Sequence, residues 1–165
     1  MEAVSATETA TYWDVYESPI GPLTLLAAGG RLRRVRFPGE GSALAAAQRR
    51  PAEFEEVRAQ LDEYFAGERE EFELPLEPLG SPAQMKVWSA LRTIPYGATV
   101  SYGELAERVG RAGEAREIGT IVGRTPLPIL IPCHRVVGAD GSLTGYGGGL
   151  PRKRALLDLE ALTLC

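Results

Sequence analysis

Alternating apolar and polar residues fill the first part of the chain. Residues 12–16 are aromatic and β-branched, residues 23–27 are mostly apolar and residues 32–37 alternate loosely. Turns with Gly or Pro separate the three segments. This pattern is typical of strands joined in an antiparallel meander. Residues 72–76 alternate in the same way and predict another short strand.

Helical patterns lie between these strands. Residues 42–49 are rich in alanine and predict a short helix. A longer amphipathic helix is predicted to end near Gly67, because apolar residues recur at helical spacing before it. These residues are Phe54, Val57, Leu61 and Phe65. A break in the pattern before residue 81 predicts two domains, residues 1–80 and 81–165, with residues 1–11 as a flexible tail.

Two capping boxes mark helix starts in the second half. They join Ser81 to Gln84 and Ser101 to Glu104. In such a box the serine and the residue three positions later cap each other's backbone N–H groups. A further helix follows with Ile118 on its apolar face. Two short helices joined by a Gly-flanked turn have the outline of a helix-turn-helix, which many simple helical hairpins share.

The last third combines an apolar run with a final helix. Residues 129–131 predict a short buried strand. The final helix opens at Pro151, and its inward positions are predicted to be Ala155, Leu156, Leu159 and Leu162. Residues 152–154 are all basic, and cations in a first turn oppose the helix dipole. They indicate either a bound phosphate or a solvated surface.

Composition limits the class of protein. The 165-residue chain is 44% hydrophobic, and no apolar run approaches the roughly 20 residues of a membrane span. The N-terminus lacks a signal-peptide pattern, so a cytoplasmic protein without membrane contact is expected. Two Cys and one His are too few for a disulfide scaffold or a structural zinc site, so no metal is expected.

Charge is uneven along the chain. Residues 1–80 carry a net charge of −7 and residues 81–165 one of +3. A mildly basic second half is compatible with a phosphate-bearing partner, although chance asymmetry explains it equally well.

Cys133 is followed directly by His134, the only histidine. A thiol reacts as its thiolate, and a neighbouring imidazole can act as the base that forms it. Adjacent side chains on a strand point to opposite faces, which favours a relay through water or a turn at Cys133 over direct contact. The alternatives are a small buried apolar Cys and a histidine with a purely structural role.

Residues 128–137 resemble the active-site signature of the O6-alkylguanine-DNA alkyltransferases. Other segments agree with that family in order and spacing: residues 18–23, 94–97, 101–103, 144–146 and 148–149, together with Arg116 and Gly119. The resemblance covers nearly the whole chain from about residue 12. It implies an α+β fold, with an N-terminal ribonuclease H-like antiparallel sheet with helices and a C-terminal winged helix-turn-helix-like DNA-binding domain.

The resemblance also implies a reaction. Members of the family flip O6-alkylguanine out of double-stranded DNA, gripping the minor groove, and transfer the alkyl group irreversibly to a cysteine. Here that residue would be Cys133, with His134 as base through water and Glu160 orienting His134. The protein is used once, needs no cofactor and is expected to be a monomer.

Further roles follow from the same resemblance. Tyr102 would press on the phosphate beside the flipped nucleotide, and Arg116 would fill the gap in the base stack. Tyr146, Val136 and Gly147 would lie at the flipped base, and Arg135 would contact the DNA or the base. Thr125 and Pro128 would support the site. Thr125 stands where the family usually has Asn, and Glu117 where small residues are usual.

Two other functions stay open at this point. One is a lesion-binding alkyltransferase-like sensor of altered specificity, although such proteins replace the nucleophilic cysteine that is present here. The other is a thiol-based helix-turn-helix regulator.

Overall fold

The computed structural model describes residues 11–39 and 48–164. They form two compact units, and the division falls between Pro78 and Leu79. Within the described ranges, no helix is both long and apolar enough to cross a membrane. Most of the predicted tail lies outside them, and Thr11 already belongs to a strand.

The first unit is built on one four-stranded sheet. Its strands are β1 (Thr11–Ser18), β2 (Gly21–Ala28), β3 (Arg31–Arg36) and β4 (Gln48–Arg49), in the order β3-β2-β1-β4. The β1–β2 and β2–β3 pairs are antiparallel, which confirms the predicted meander, whereas β4 runs parallel to β1. The end of the helix predicted over 42–49 is therefore wrong, and residues 42–47 lie outside the described part of the chain.

A β-bulge explains the loose alternation in β3. The register between β2 and β3 shifts between Leu26 and Ala27, and Arg33 is left without a partner in β2. An extra residue changes which side chains share a face. Leu32 and Val35 are consequently both buried although they are three residues apart.

Helix α1 (Glu55–Phe65) completes the first unit, after a 3₁₀ turn at Pro51–Phe54. Phe54, Val57 and Leu61 are buried as predicted. The strand predicted over residues 72–76 is wrong, because only Leu76 forms a β-bridge, to Leu32. Pro75 within that segment has no N–H to donate to a ladder.

Helices dominate the second unit. They are α2 (Pro82–Leu91), α3 (Tyr102–Arg108), α4 (Ala115–Gly123) and α5 (Leu150–Leu164), and the short strands β5 (Val100–Ser101) and β6 (Val136–Val137) pair in parallel. Both predicted capping boxes are present. The Trp88 indole donates to the Ile121 carbonyl at 3.2 Å and ties α2 to α4. The α+β fold class is confirmed.

The inward face of α5 differs from the prediction. Lys153, Leu156 and Glu160 are buried, whereas Ala155 and Leu162 are exposed. Two ionisable side chains on a buried face need compensating partners. The partners of Glu160 are His134 and Arg135, which directly follow Cys133 in the chain.

Candidate active site

A tight turn, and not a strand, leads to Cys133. The Ile131 N–H donates to the Leu127 carbonyl at 2.8 Å, and Pro128 bridges to Ile131. Ile129 has a φ of 75°, which a β-branched residue rarely adopts and which costs about 1–3 kcal/mol. Ile129 is buried, so packing of its side chain holds the strained backbone in place.

Cys133 begins a 3₁₀ turn, Cys133–Arg135, directly before β6. The turn at Cys133 that was one of the two predicted arrangements is therefore present. Because the turn has helical backbone angles, Cys133 and His134 do not point to opposite faces of a strand. Val136 follows with its side chain fully buried and pairs with Val100 of β5.

The Cys133 thiol is only 5% exposed. Burial raises its pKa to about 11, although a hydrogen bond with Thr125, the charge of Lys153 and a hydrogen bond with Tyr146 oppose the shift. Burial disfavours the thiolate because an apolar environment solvates charge poorly. At neutral pH the sulfur is thus a thiol, and reaction requires a base.

His134 is the nearest base in the sequence, and Glu160 fixes its orientation. The His134 Nε2 lies 2.7 Å from the Glu160 Oε2, and both side chains are buried. Burial alone would raise the pKa of Glu160, but hydrogen bonds from His134 and Arg135 lower it to about 2. A carboxylate only accepts hydrogen bonds, so Nε2 carries the hydrogen and Nδ1 presents a lone pair.

The second ring nitrogen of His134 is available for chemistry. Among the described residues, Nδ1 has no hydrogen-bond partner although it is buried. Burial lowers the pKa of His134, Glu160 raises it, and the charges of Arg135 and Lys153 lower it again, so the net shift is downward and the imidazole is neutral. A neutral imidazole with a free lone pair can accept a proton.

Arg135 holds the other side of Glu160. Its Nε and Nη2 donate to the two carboxylate oxygens at 2.9 Å each, and Nη1 donates to the Ile94 carbonyl at 2.7 Å. The guanidinium also lies 5.5 Å from the centre of the Tyr96 ring. Each nitrogen of the guanidinium therefore has a partner inside the protein, and the DNA-contact role expected for Arg135 stays a prediction.

Lys153 supports the loop that follows the turn. Its Nζ donates to the carbonyls of Thr144 at 2.9 Å and Gly145 at 3.2 Å, and the Tyr102 hydroxyl donates to the same Thr144 oxygen at 3.1 Å. The phosphate suggested for residues 152–154 is thus not what Lys153 binds. The signal in the sequence for its buried position is its helical spacing with Leu156 and Glu160, which lie on the same face of α5.

The remaining predicted residues occupy separate places in the second unit. Arg116 is exposed in the first turn of α4, and Tyr102 is half-buried at the start of α3. Tyr146 is half-buried and Gly147 exposed in the loop before α5. The Thr125 hydroxyl donates to the Val122 carbonyl at 2.7 Å and so closes the end of α4.

Metal coordination is not expected from the sequence, and the structure describes residues 11–39 and 48–164. Within these ranges, no group of three or more His, Cys, Asp or Glu side chains is arranged to hold a metal ion.

Two family descriptions match the chain, one for each unit. The 6-O-methylguanine DNA methyltransferase ribonuclease-like domain matches residues 11–78. The DNA-binding domain of 6-O-methylguanine DNA methyltransferase matches residues 82–162. The chain belongs to the 6-O-methylguanine DNA methyltransferase family.

Similar proteins agree with this family over most of their length. The methylated-DNA--protein-cysteine methyltransferase of Mycobacterium tuberculosis is 47% identical over 151 residues, 90% of this chain and 92% of the relative. The protein of the same name from Mycobacterium leprae is 49% identical over 146 residues, 87% of this chain and 88% of the relative.

A crystal structure of Mycobacterium tuberculosis OGT in complex with DNA has the same fold. Its TM-score is 0.88 at 47% identity, with 92% of this chain and 94% of that chain covered. The sequence resemblance to the 6-O-methylguanine DNA methyltransferase family is thus confirmed. The lesion sensor and the thiol-based regulator are not favoured.

Proposed function

We propose that the chain repairs O6-alkylguanine in double-stranded DNA by direct reversal, with the Cys133 sulfur as the atom that receives the alkyl group. The observation that carries this proposal is the 2.7 Å hydrogen bond between His134 and Glu160. His134 directly follows Cys133 in the chain. It fixes the tautomer of the only histidine so that its basic nitrogen is Nδ1.

The first step removes the thiol proton. A water molecule hydrogen-bonded to the Cys133 thiol and to the His134 Nδ1 passes the proton to the imidazole. Glu160 stabilises the imidazolium as it forms, because a carboxylate lies 2.7 Å from the other ring nitrogen. General-base assistance of this kind contributes about 10²- to 10⁴-fold to a rate.

The second step transfers the alkyl group. The Cys133 thiolate attacks the alkyl carbon opposite the guanine O6, a sulfur–carbon bond forms and the carbon–oxygen bond breaks. The bonding electrons stay on the guanine, which takes up one proton from solvent and becomes ordinary guanine. The His134 imidazolium releases the thiol proton to solvent, so no net proton is gained or lost. The product thioether has no ionisable proton and is a poor leaving group, so each molecule acts once and needs no cofactor.

The lesion must leave the base stack before the sulfur can reach it. In this proposal the second unit approaches the minor groove. Arg116, exposed at the start of α4, fills the gap left by the flipped base, and Tyr102 lies beside the neighbouring phosphate. Tyr146, Gly147 and the backbone of Val136 line the base pocket.

Residues 1–80 are assigned a supporting role in this proposal. Their net charge of −7 disfavours contact with phosphates, whereas residues 81–165 carry +3. The chain acts as a monomer in this scheme, because one copy contains every residue that the two steps use. The cytoplasmic location stays a prediction.

A single-turnover assay tests the proposal. Excess protein is mixed with duplex DNA containing one O6-methylguanine, and peptides are weighed after digestion. The expected result is a gain of one methyl group on the peptide with Cys133 and none with undamaged duplex. Tight lesion binding without methyl gain would indicate a sensor, and a sequence-selective footprint on undamaged DNA would indicate a regulator.

A further inference from the structure

Arg135 has no task in either step, yet it makes two hydrogen bonds to Glu160, whereas His134 makes one. It is buried and donates two hydrogen bonds of 2.9 Å to that carboxylate. A third donor is fixed by the Ile94 carbonyl, so the guanidinium cannot turn away without losing all three contacts. Such a bidentate pair fixes both position and charge.

Glu160 by itself would be a poor partner for a base. A buried carboxylate within hydrogen-bond distance favours the charged form of an imidazole and raises its pKa by about 1–3 units. An imidazolium in the resting protein has no lone pair and cannot accept the thiol proton. Burial of His134 and a positive charge beside Glu160 both oppose this effect before the reaction begins.

We propose that Arg135 is a positioning residue that keeps His134 neutral by sharing the charge of Glu160. This inference rests on the proposed role of His134 as the base. Arg135 balances the carboxylate in the resting state, so His134 keeps its lone pair. Glu160 still lies close enough to stabilise the imidazolium once the thiol proton has moved.

The charged groups around His134 act in opposite directions. Helix α5 contributes Glu160 and Lys153, and the 3₁₀ turn contributes Arg135 and Cys133. The pKa of His134 is lowered first by burial and then by the charges of Arg135 and Lys153, whereas Glu160 raises it. From the segment after α2, Arg135 is faced by the Ile94 carbonyl and the Tyr96 ring, both uncharged.

The single histidine makes this inference directly measurable. Because the chain contains one His, its ring nitrogens give one set of ¹⁵N NMR signals, which report both the pKa and the tautomer. In the unmodified protein His134 is expected to be neutral at pH 7, with hydrogen on Nε2. No DNA is needed, so the titration is independent of the transfer assay.

Variants then separate charge from packing. Arg135→Gln is expected to raise the His134 pKa by at least about one unit, because Glu160 is left unbalanced. Arg135→Lys keeps the charge without the bidentate geometry and is expected to give a smaller rise. Arg92→Gln, which removes an exposed charge from the same unit, is expected to leave the pKa unchanged. Far-ultraviolet circular dichroism checks folding.

Each result decides the matter. A charged His134 at pH 7 in the unmodified protein would overturn the inference even if the Arg135 variants do not fold. An unchanged pKa in folded Arg135→Gln would overturn it as well. In Arg135→Gln/Glu160→Gln both charges are gone, and the pKa is expected to return to or below that of the unmodified protein. If the titrations behave as expected but Cys133 gains no methyl group, the proposed function fails alone.

Discussion

Among the described residues, each unit buries one carboxylate, and the two differ in their partners. Asp14 on β1 and Glu160 on α5 are each 1% exposed. Asp14 accepts hydrogen bonds from Arg49 and Arg58, and Glu160 from Arg135 and His134. In both cases burial would raise the carboxyl pKa, but the partners more than offset it, so both pKa values are lowered.

The two carboxylates differ in the chemistry of their partners and not in the direction of their pKa shifts. Both partners of Asp14 are arginines, which stay charged at any physiological pH and exchange no proton. One partner of Glu160 is an imidazole that can still accept a proton on its far nitrogen. A perturbed carboxyl pKa therefore marks a structural ion pair as readily as an active site, and a titratable neighbour distinguishes them.

Removal of the proposed nucleophile is expected to have the largest effect, because the site at Glu160 acts through Cys133 and the site at Asp14 does not. Cys133→Ala is expected to abolish methyl transfer while keeping lesion binding, because it removes the sulfur and little volume. Transfer is followed by radiolabelled methyl on the protein, and binding by fluorescence anisotropy with an O6-methylguanine duplex. Full transfer in this variant would move the chemistry to another residue.

The two carboxylates are expected to differ sharply when each is neutralised. Glu160→Gln should slow transfer roughly 100-fold, because the tautomer and the stabilisation of the imidazolium are both lost. Asp14→Asn, the matched change in the first unit, should leave the single-turnover rate of the folded protein within about twofold, since it touches no reacting group. Equal losses of transfer rate in both variants would contradict the proposed difference between the two carboxylates.

Acid should weaken the second unit through Glu160. Its pKa of about 2 lies below the ordinary value of 4.5, so its stabilising contribution is full above pH 4.5 and is lost as the pH falls towards 2. That contribution is roughly 3 kcal/mol at neutral pH. The unfolding free energy, followed by urea titration with Trp88 fluorescence in a Trp13→Phe background, should fall more steeply below pH 4.5.

Glu160→Gln provides the control for that experiment. Its second unit should be less stable at neutral pH but should lack the additional slope below pH 4.5. A slope identical to that of the unmodified protein would mean that Glu160 is not the group that titrates.

The smallest expected effect distinguishes the two arginines at Asp14. The Arg49 side chain is 57% exposed, so Arg49→Gln should cost at most about 1 kcal/mol. Arg58 also donates to the Val15 carbonyl, and Arg58→Gln should cost about 2 kcal/mol. Urea unfolding followed by Trp13 fluorescence in a Trp88→Phe background measures both. A larger loss of unfolding free energy in Arg49→Gln than in Arg58→Gln would mean that Arg49 stabilises the first unit more than Arg58 does.

Local signals in the sequence were enough for much of the fold. Both capping boxes lie within four residues of chain, and a serine with Gln or Glu three positions later forms the same contacts wherever it occurs. The strand predicted over residues 129–131 failed for the opposite reason. Its backbone is turned by the positive φ of Ile129, which only packing against distant residues sustains.

The candidate site was predicted in part. Cys133 and His134 stood out as neighbours in the sequence, but Glu160 was reached only through family resemblance, because 26 residues separate it from His134. Lys153 and the ion pair of Arg135 were missed. Hydrophobic periodicity assigns charged residues to the surface, whereas here they form the buried face of a helix.

Burial of Cys133 has a consequence for the useful lifetime of the protein. A pKa of about 11 in place of the ordinary 9.0 leaves about a hundredfold less thiolate at equilibrium. Small electrophiles in solution react with thiolates. A protein whose acceptor sulfur has been alkylated irreversibly in this way can no longer repair DNA. In the proposed function, burial thus protects the Cys133 sulfur from chance alkylation and keeps it for a substrate that binds beside His134.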